Sequence, residues 1–195
     1  MSTITVVKKS GVAAIATDSL TTYGLEKDSA EYIINHQKIV KVGQSLLGIC
    51  GPTSAKLMVH DFFVNKKPPT KLNTVNSIFK TWCELHLTLK EDYFLMPNED
   101  EDDTVESTRM DVLIINPQGI FGVSAHRAVQ EFSKFYAYGT GAEFAMGAMY
   151  AAYKEGTSAE DIAILGIEAA AEFDTKTGLP VISHKVKLEA QKPKL

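Results

Sequence analysis

Apolar positions along this chain change period several times, and the changes mark its elements. Thr3 to Val7 and Val12 to Ala16 are short runs of β-branched and small residues, separated by Lys8-Lys9-Ser10-Gly11. That is the pattern of an opening β-hairpin. Asp18 to Asn35 is polar, lacks a strong period of either kind and is expected to be a loop. Lys38 to Val42 and Ser45 to Cys50 predict two further strands joined at Gly43-Gln44; Gly48, inside the second, points to close backbone approach. From Pro52 to Val64 the residues Leu57, Met58, Phe62 and Phe63 recur at helical spacing, and the prolines after Asn65 end that helix. Val75 to Lys90 carries Ile78, Phe79, Trp82, Leu85 and Leu89 on a broad apolar face, predicting a second helix.

The second half repeats this order. Val112 to Ile115 and Ile120 to Val123 flank Asn116-Pro117-Gln118-Gly119, strong hairpin punctuation, and Phe135 to Tyr138 is another strand, ending at Gly139-Thr140-Gly141. Small residues at Ala145, Gly147, Ala148, Ala151 and Ala152 predict a helix from Ala142 to Tyr153 that approaches its neighbour closely. Ser158 with Asp161 caps a fourth helix running through Ala171. A loop from Asp174 to Pro180 and a strand from Val181 to Val186 follow. Strands joined by hairpins favour antiparallel sheets, and two helix pairs can cover the two outer faces. The expected fold is α+β, a four-layer αββα sandwich of two antiparallel sheets.

Composition narrows the class. With 195 residues, 45% of them hydrophobic, the chain suits a single domain over residues 1–188, followed by a polar tail at 189–195. A formal charge of −4 without a basic run argues against a nucleic-acid partner. The absence of a long apolar run or leader pattern argues against a membrane, so a cytoplasmic location is expected. Cys50 and Cys83 lie in apolar surroundings and read as buried reduced thiols. The five histidines lack metalloprotease spacing, and no stretch fits a phosphate loop, so any ATP would be used by a partner. The acidic block from Asn98 to Glu106 reads as a solvated loop or a surface lining a pore or chamber.

The chemistry concentrates at the start. If Met1 is removed, Ser2 presents a hydroxyl and a free α-amine on one residue, so nucleophile and base adjoin without help from the fold. That is the chemistry of an N-terminal-nucleophile hydrolase. Ser2-Thr3-Ile4, Ala16-Thr17-Asp18-Ser19 with Thr21-Thr22, Gln37-Lys38-Ile39, Leu47-Gly48, Tyr138-Gly139-Thr140-Gly141 and Asp174-Thr175-Lys176-Thr177-Gly178 follow in order. In this set the chain resembles the proteasome β-subunit superfamily, in particular the HslV-type peptidase and the related betaproteobacterial proteasome homologue.

The resemblance implies a role for each position. Ser2 replaces the family's N-terminal threonine, keeping the hydroxyl but losing the methyl that restricts χ1. Lys38 takes the place of the buried activating lysine, with Lys41 as the neighbouring alternative, and Asp18 that of the carboxylate holding it charged. Gly48 falls where a backbone N–H serves as oxyanion donor. Thr22 and Gly48 would flank an extended substrate, and Leu46 would floor the pocket for the residue before the cut, implying apolar preference. Thr140 replaces a family serine, and Asp174 and Thr177 match the element that hydrogen-bonds the N-terminal amine network. Carbonyls of Ala171, Asp174 and Thr177 align with a monovalent-cation site, taken to be Na⁺; the chemistry itself needs no cofactor.

The expected activity is thus peptide-bond hydrolysis of unfolded proteins inside stacked homo-oligomeric rings, hexameric or heptameric, fed by an AAA+ unfoldase. Two alternatives stay open: a ring-forming subunit without catalysis, and an amidase acting on small amides outside any chamber.

Overall fold

The computed structural model describes residues 2–66, 70–96 and 104–190. These form, in chain order, β1 (Thr3–Lys9), β2 (Val12–Thr17), β3 (Thr21–Tyr23), β4 (Glu26–Asp28), β5 (Ile39–Val42), β6 (Ser45–Cys50), α1 (Ala55–Asn65), α2 (Val75–Glu91), β7 (Asp111–Asn116), β8 (Gly119–Val123), β9 (Val129–Phe132), β10 (Phe135–Gly139), α3 (Ala142–Ala152), α4 (Ala159–Phe173) and β11 (Ile182–Lys187). One antiparallel sheet has the order β10-β1-β2-β11, the other β5-β6-β7-β8-β9. The opening hairpin turns at Ser10 and Gly11, both at positive φ (50° and 76°), the twist that a two-residue turn needs to match its strands.

Three apolar layers hold the sandwich. Ile78, Trp82, Leu85 and Leu89 of α2, with Val59 of α1, pack on Leu47, Val112, Ile114 and Phe121 of the five-stranded sheet. Ile4, Val6 and Ile15 meet Leu113, Ile115 and Ile120 between the sheets. Met149 of α3 and Ile162 and Ile167 of α4 cover Val7, Ala14 and Ala16 on the far face. The αββα order expected from the sequence is therefore the observed one. The expected cap forms, with Ser158 Oγ accepting from Asp161 N (3.1 Å), and Thr74 adds a reciprocal capping box with Ser77 at the start of α2.

Some details differ from expectation. The 18–35 segment, read as loop, contains the β3–β4 ribbon, and β9 was also not foreseen. β3 and β4 are three residues each and largely exposed, too short and too polar to show alternation. Close helix–strand approach is made by Gly166 of α4, where a Cβ would lie 3.0 Å from Thr5 Cγ2 and from Met149 Cγ; Gly147 of α3 faces open space. Most of the acidic block, residues 98–103, lies outside the described residues, as do Met1 and residues 191–195. Glu106, at the end of that block, is engaged: its carboxylate accepts from Lys90 Nζ and bonds His86 Nε2 (2.8 Å), and its carbonyl accepts from Arg127 Nη1 (2.6 Å). Among the described residues no helix is long and apolar enough to cross a membrane.

Candidate active site

The β1–β2 hairpin places Asp18 beside Thr3, the residue after Ser2. With Ile4 opposite Thr17, the strand ends bring Thr3 to Asp18: Asp18 N donates to Thr3 O (3.3 Å) and Thr3 N donates to Asp18 Oδ1 (3.0 Å). Asp18 is fully buried and also accepts from Lys38 Nζ (2.6 Å), Leu20 N (3.1 Å) and Gly178 N (3.2 Å). Lys38, just ahead of β5, donates its second hydrogen bond to Leu20 O (2.6 Å). Lys41 faces solvent and takes no part. Burial disfavours charge on both partners, pushing Asp18 up and Lys38 down, and their mutual attraction opposes both shifts. With every hydrogen bond to Asp18 coming from an N–H donor, the ionised carboxylate is the form this site is built around. Ser2, Lys38 and Gly51 line one small cavity of ≈ 40 Å³, together with Leu20, Thr21, His36, Ile49, Pro52, Thr53 and Lys56.

A second network ties the same strand end to the loop after α4. Gly141 N donates to Thr3 Oγ1 (3.0 Å), and Thr3 Oγ1 lies 2.5 Å from Thr177 Oγ1. Thr177 Oγ1 and Thr140 Oγ1 both donate to Asp174 Oδ2 (2.6 Å each). Because Thr177 spends its proton on Asp174, Thr3 must donate to Thr177, so the chain of bonds runs in one direction. Burial alone would raise the Asp174 carboxyl, but the hydrogen bonds from Thr140 and Thr177 outweigh it and hold the group below the usual range. The Ser2 carbonyl accepts from Thr140 N (3.2 Å) and from Cys50 Sγ (3.3 Å). Burial, with Asp111 nearby, pushes that thiol up to about 11, so it stays a neutral donor. Gly139, at φ 109°, is required here: a Cβ would lie 1.8 Å from Ser2 O.

Two expected positions lie elsewhere. A Cβ on Gly48 would sit 2.6 Å from Ile4 Cγ2 and 3.0 Å from Ile15 Cδ1, so this glycine makes room for the inter-sheet core and does not line the cavity. Leu46, two residues earlier on the same face, packs into the same core and not into a substrate pocket. Gly51 and Ile49 line the cavity in their stead. Thr22 and Thr140 border a larger cleft that shares Gly51, Pro52 and Thr53 with it. Ala171, Asp174 and Thr177 border one groove, where the Asp174 carbonyl accepts from Thr177 N (3.1 Å). Cys50 and Cys83 are free thiols, the first buried and the second half-buried.

A scan against protein-family models and a search of curated proteins return no match. Solved structures do match. The BPH of Thiobacillus denitrificans superposes with a TM-score of 0.93 at 51% identity, over 97% of this chain and 100% of that one. The chain belongs to the proteasome β-subunit superfamily. The same BPH in complex with epoxomicin gives a TM-score of 0.91 at 51% identity, over 96% of this chain and all of that one. HslV from Trypanosoma brucei shares the fold, with a TM-score of 0.71 at 18% identity over 95% of this chain and 99% of that one. This proteasome-type subunit thus has the N-terminal-nucleophile protease fold, with Ser2 at the head of β1 and Lys38 beside it.

Proposed function

We propose that this subunit is an N-terminal-nucleophile endopeptidase acting through Ser2. After Met1 is removed, Ser2 Oγ attacks a peptide carbonyl while its own α-amine takes the hydroxyl proton, directly or through water. The Lys38 cation disfavours a second positive charge on that amine, so the amine is neutral before the attack and its lone pair is free to accept the proton. The oxyanion of the tetrahedral intermediate accepts from the backbone N–H of Gly51. The C–N bond then breaks, the departing amine takes the proton, and water hydrolyses the Ser2 ester to regenerate the hydroxyl. Thr22 and Gly51 flank an extended substrate whose main chain adds as a strand. A monovalent cation on the carbonyls of Ala171, Asp174 and Thr177 would stiffen the loop that carries Thr177.

The observation that carries this reading is Lys38, held by the buried Asp18 carboxylate, lining one cavity with Ser2. Exposed apolar side chains, among them Leu25, Ile34 and the Phe144–Phe173 pair on α3 and α4, support self-association into stacked rings, with an AAA+ unfoldase delivering substrate. The test is intact mass before and after epoxomicin, an epoxyketone that bridges an N-terminal hydroxyl and amine. The expected result is loss of Met1 and one adduct per chain, with no adduct on Ser2→Ala or Lys38→Ala. A Met-free chain that takes no adduct, under conditions labelling a proteasome control, overturns the reading. A retained Met1 favours the ring-forming subunit without catalysis.

A further inference from the structure

The cavity beside Ser2 is electrically one-sided. Among the described residues its titratable walls are Lys38, His36 and Lys56, and no carboxylate lines it. Asp18 lies behind Lys38, with Oδ1 accepting from Lys38 and Thr3 and Oδ2 accepting from Leu20 and Gly178. Lys56, in the first turn of α1, donates to the carbonyls of Asn35 and Gln37, the latter at 3.3 Å. Both acceptors are neutral, so they fix the ammonium at the cavity wall without cancelling its charge, and a third N–H remains for a ligand. Burial, and to a lesser extent the Lys38 cation, push the Lys56 ammonium below its usual range. His36 Nδ1 donates to Ile33 O (2.7 Å), which turns the rest of its ring toward the cavity lining. Leu20 and Ile49 supply apolar walls. At ≈ 40 Å³ the space holds about three water-sized groups, the size of a carboxylate.

We infer that this cavity receives the side chain preceding the scissile bond and selects an acidic one, aspartate or glutamate, with Lys56 setting the preference. The inference rests on the peptidase reading above. An acidic side chain brings the missing counter-charge to Lys56; an apolar one leaves that cation with neutral partners only, and a basic one adds a further like charge. One charge-assisted hydrogen bond gained in a partly buried site corresponds to roughly tenfold or more in relative reactivity.

The test uses peptide epoxyketones identical except for Asp, Leu or Lys next to the warhead, with adduct formation followed by intact mass. The wild-type subunit should react with the Asp probe roughly tenfold faster than with the Leu probe. Lys56→Gln should bring the two rates together, Lys56→Arg should restore the preference, and Lys56→Glu should favour the Lys probe. Faster reaction with the Leu probe, or a ratio unchanged in Lys56→Gln, overturns this inference and leaves the peptidase reading standing. No adduct from any probe on a Met-free chain overturns both.

Discussion

Asp18 and Lys38 depend on each other more than on any other group. Each is buried, and each would be costly alone: Asp18 without Lys38 is a desolvated carboxylate, and Lys38 without Asp18 is a desolvated ammonium. Removing one partner from such a pair costs roughly 3–5 kcal/mol, whereas replacing both by neutral groups costs much less. Lys38→Met and Asp18→Asn should therefore each lower the urea midpoint sharply, and the double variant should recover much of the loss. Epoxomicin adduct formation should stay lost in all three, since the cation is gone or unheld. Stability returning without reactivity would separate the pair's structural role from its chemical one; additive losses in urea would contradict the coupling. These two residues were legible in the sequence only through the family resemblance, which implied that they pair. The proposal for Ser2 has a simpler origin in the sequence, since a hydroxyl beside an amine freed by loss of Met1 needs no fold to meet it.

At the level of elements, the loop between α4 and β11 is fastened to the start of β1 by the Thr3–Thr177–Asp174–Thr140 chain. Its strength rests on Asp174 being ionised. An Asp carboxyl titrates near 3.9 when unfolded, and here the folded value lies lower, so the unfolded chain binds the proton first as pH falls. The stabilisation is therefore fully present above about pH 4 and fades as pH drops through the folded value. Asp174→Asn should be less stable than wild type by roughly 1–2 kcal/mol at pH 7, and the gap should close in acid. Urea unfolding from pH 7 down to pH 3 reads this directly, and a gap that stays constant with pH would contradict it. Thr3 is the member of this network that sequence reasoning passed over. Its hydroxyl is one of many on an alternating strand, and only the close approach of Gly141 and Thr177 gives it a task. Strand β6 shows a similar limit. Both its faces are buried, one against α1 and α2 and one against the other sheet, so no polar alternation tells which residues face where. The resemblance points to Gly48 as the oxyanion donor, and nothing in the local pattern opposes it, yet Gly48 shares a face with Leu46 and yields its space to Ile4. Gly51, just past the strand end, reaches the cavity.

For the molecule as a whole, exposed apolar groups outnumber what a lone subunit needs to display. Leu25 and Ile34 are fully exposed, Tyr32 and Tyr150 nearly so, and the half-exposed Phe144 packs its ring on the exposed Phe173. Native mass spectrometry should therefore find a closed ring assembly of this chain, six or seven subunits to a ring and twice that number when stacked. Phe173→Glu should lower the assembled mass while leaving the fold intact by circular dichroism. A monomer at micromolar concentration would contradict self-assembly. The sequence by itself determined the layered α+β fold, because periods of two and of 3.6 residues and their turn punctuation are local properties that survive without tertiary contacts. It also placed a hydroxyl directly after Met1, the feature from which the proposed chemistry at Ser2 follows once Met1 is removed. Only the tertiary structure decided what surrounds that residue: which glycine faces the cavity, that Thr3 joins the network behind it, and that Lys56 and His36 stand at its wall. Those placements depend on how two sheets slide and face each other, and on where a helix begins relative to a strand end. No local pattern encodes such a distance.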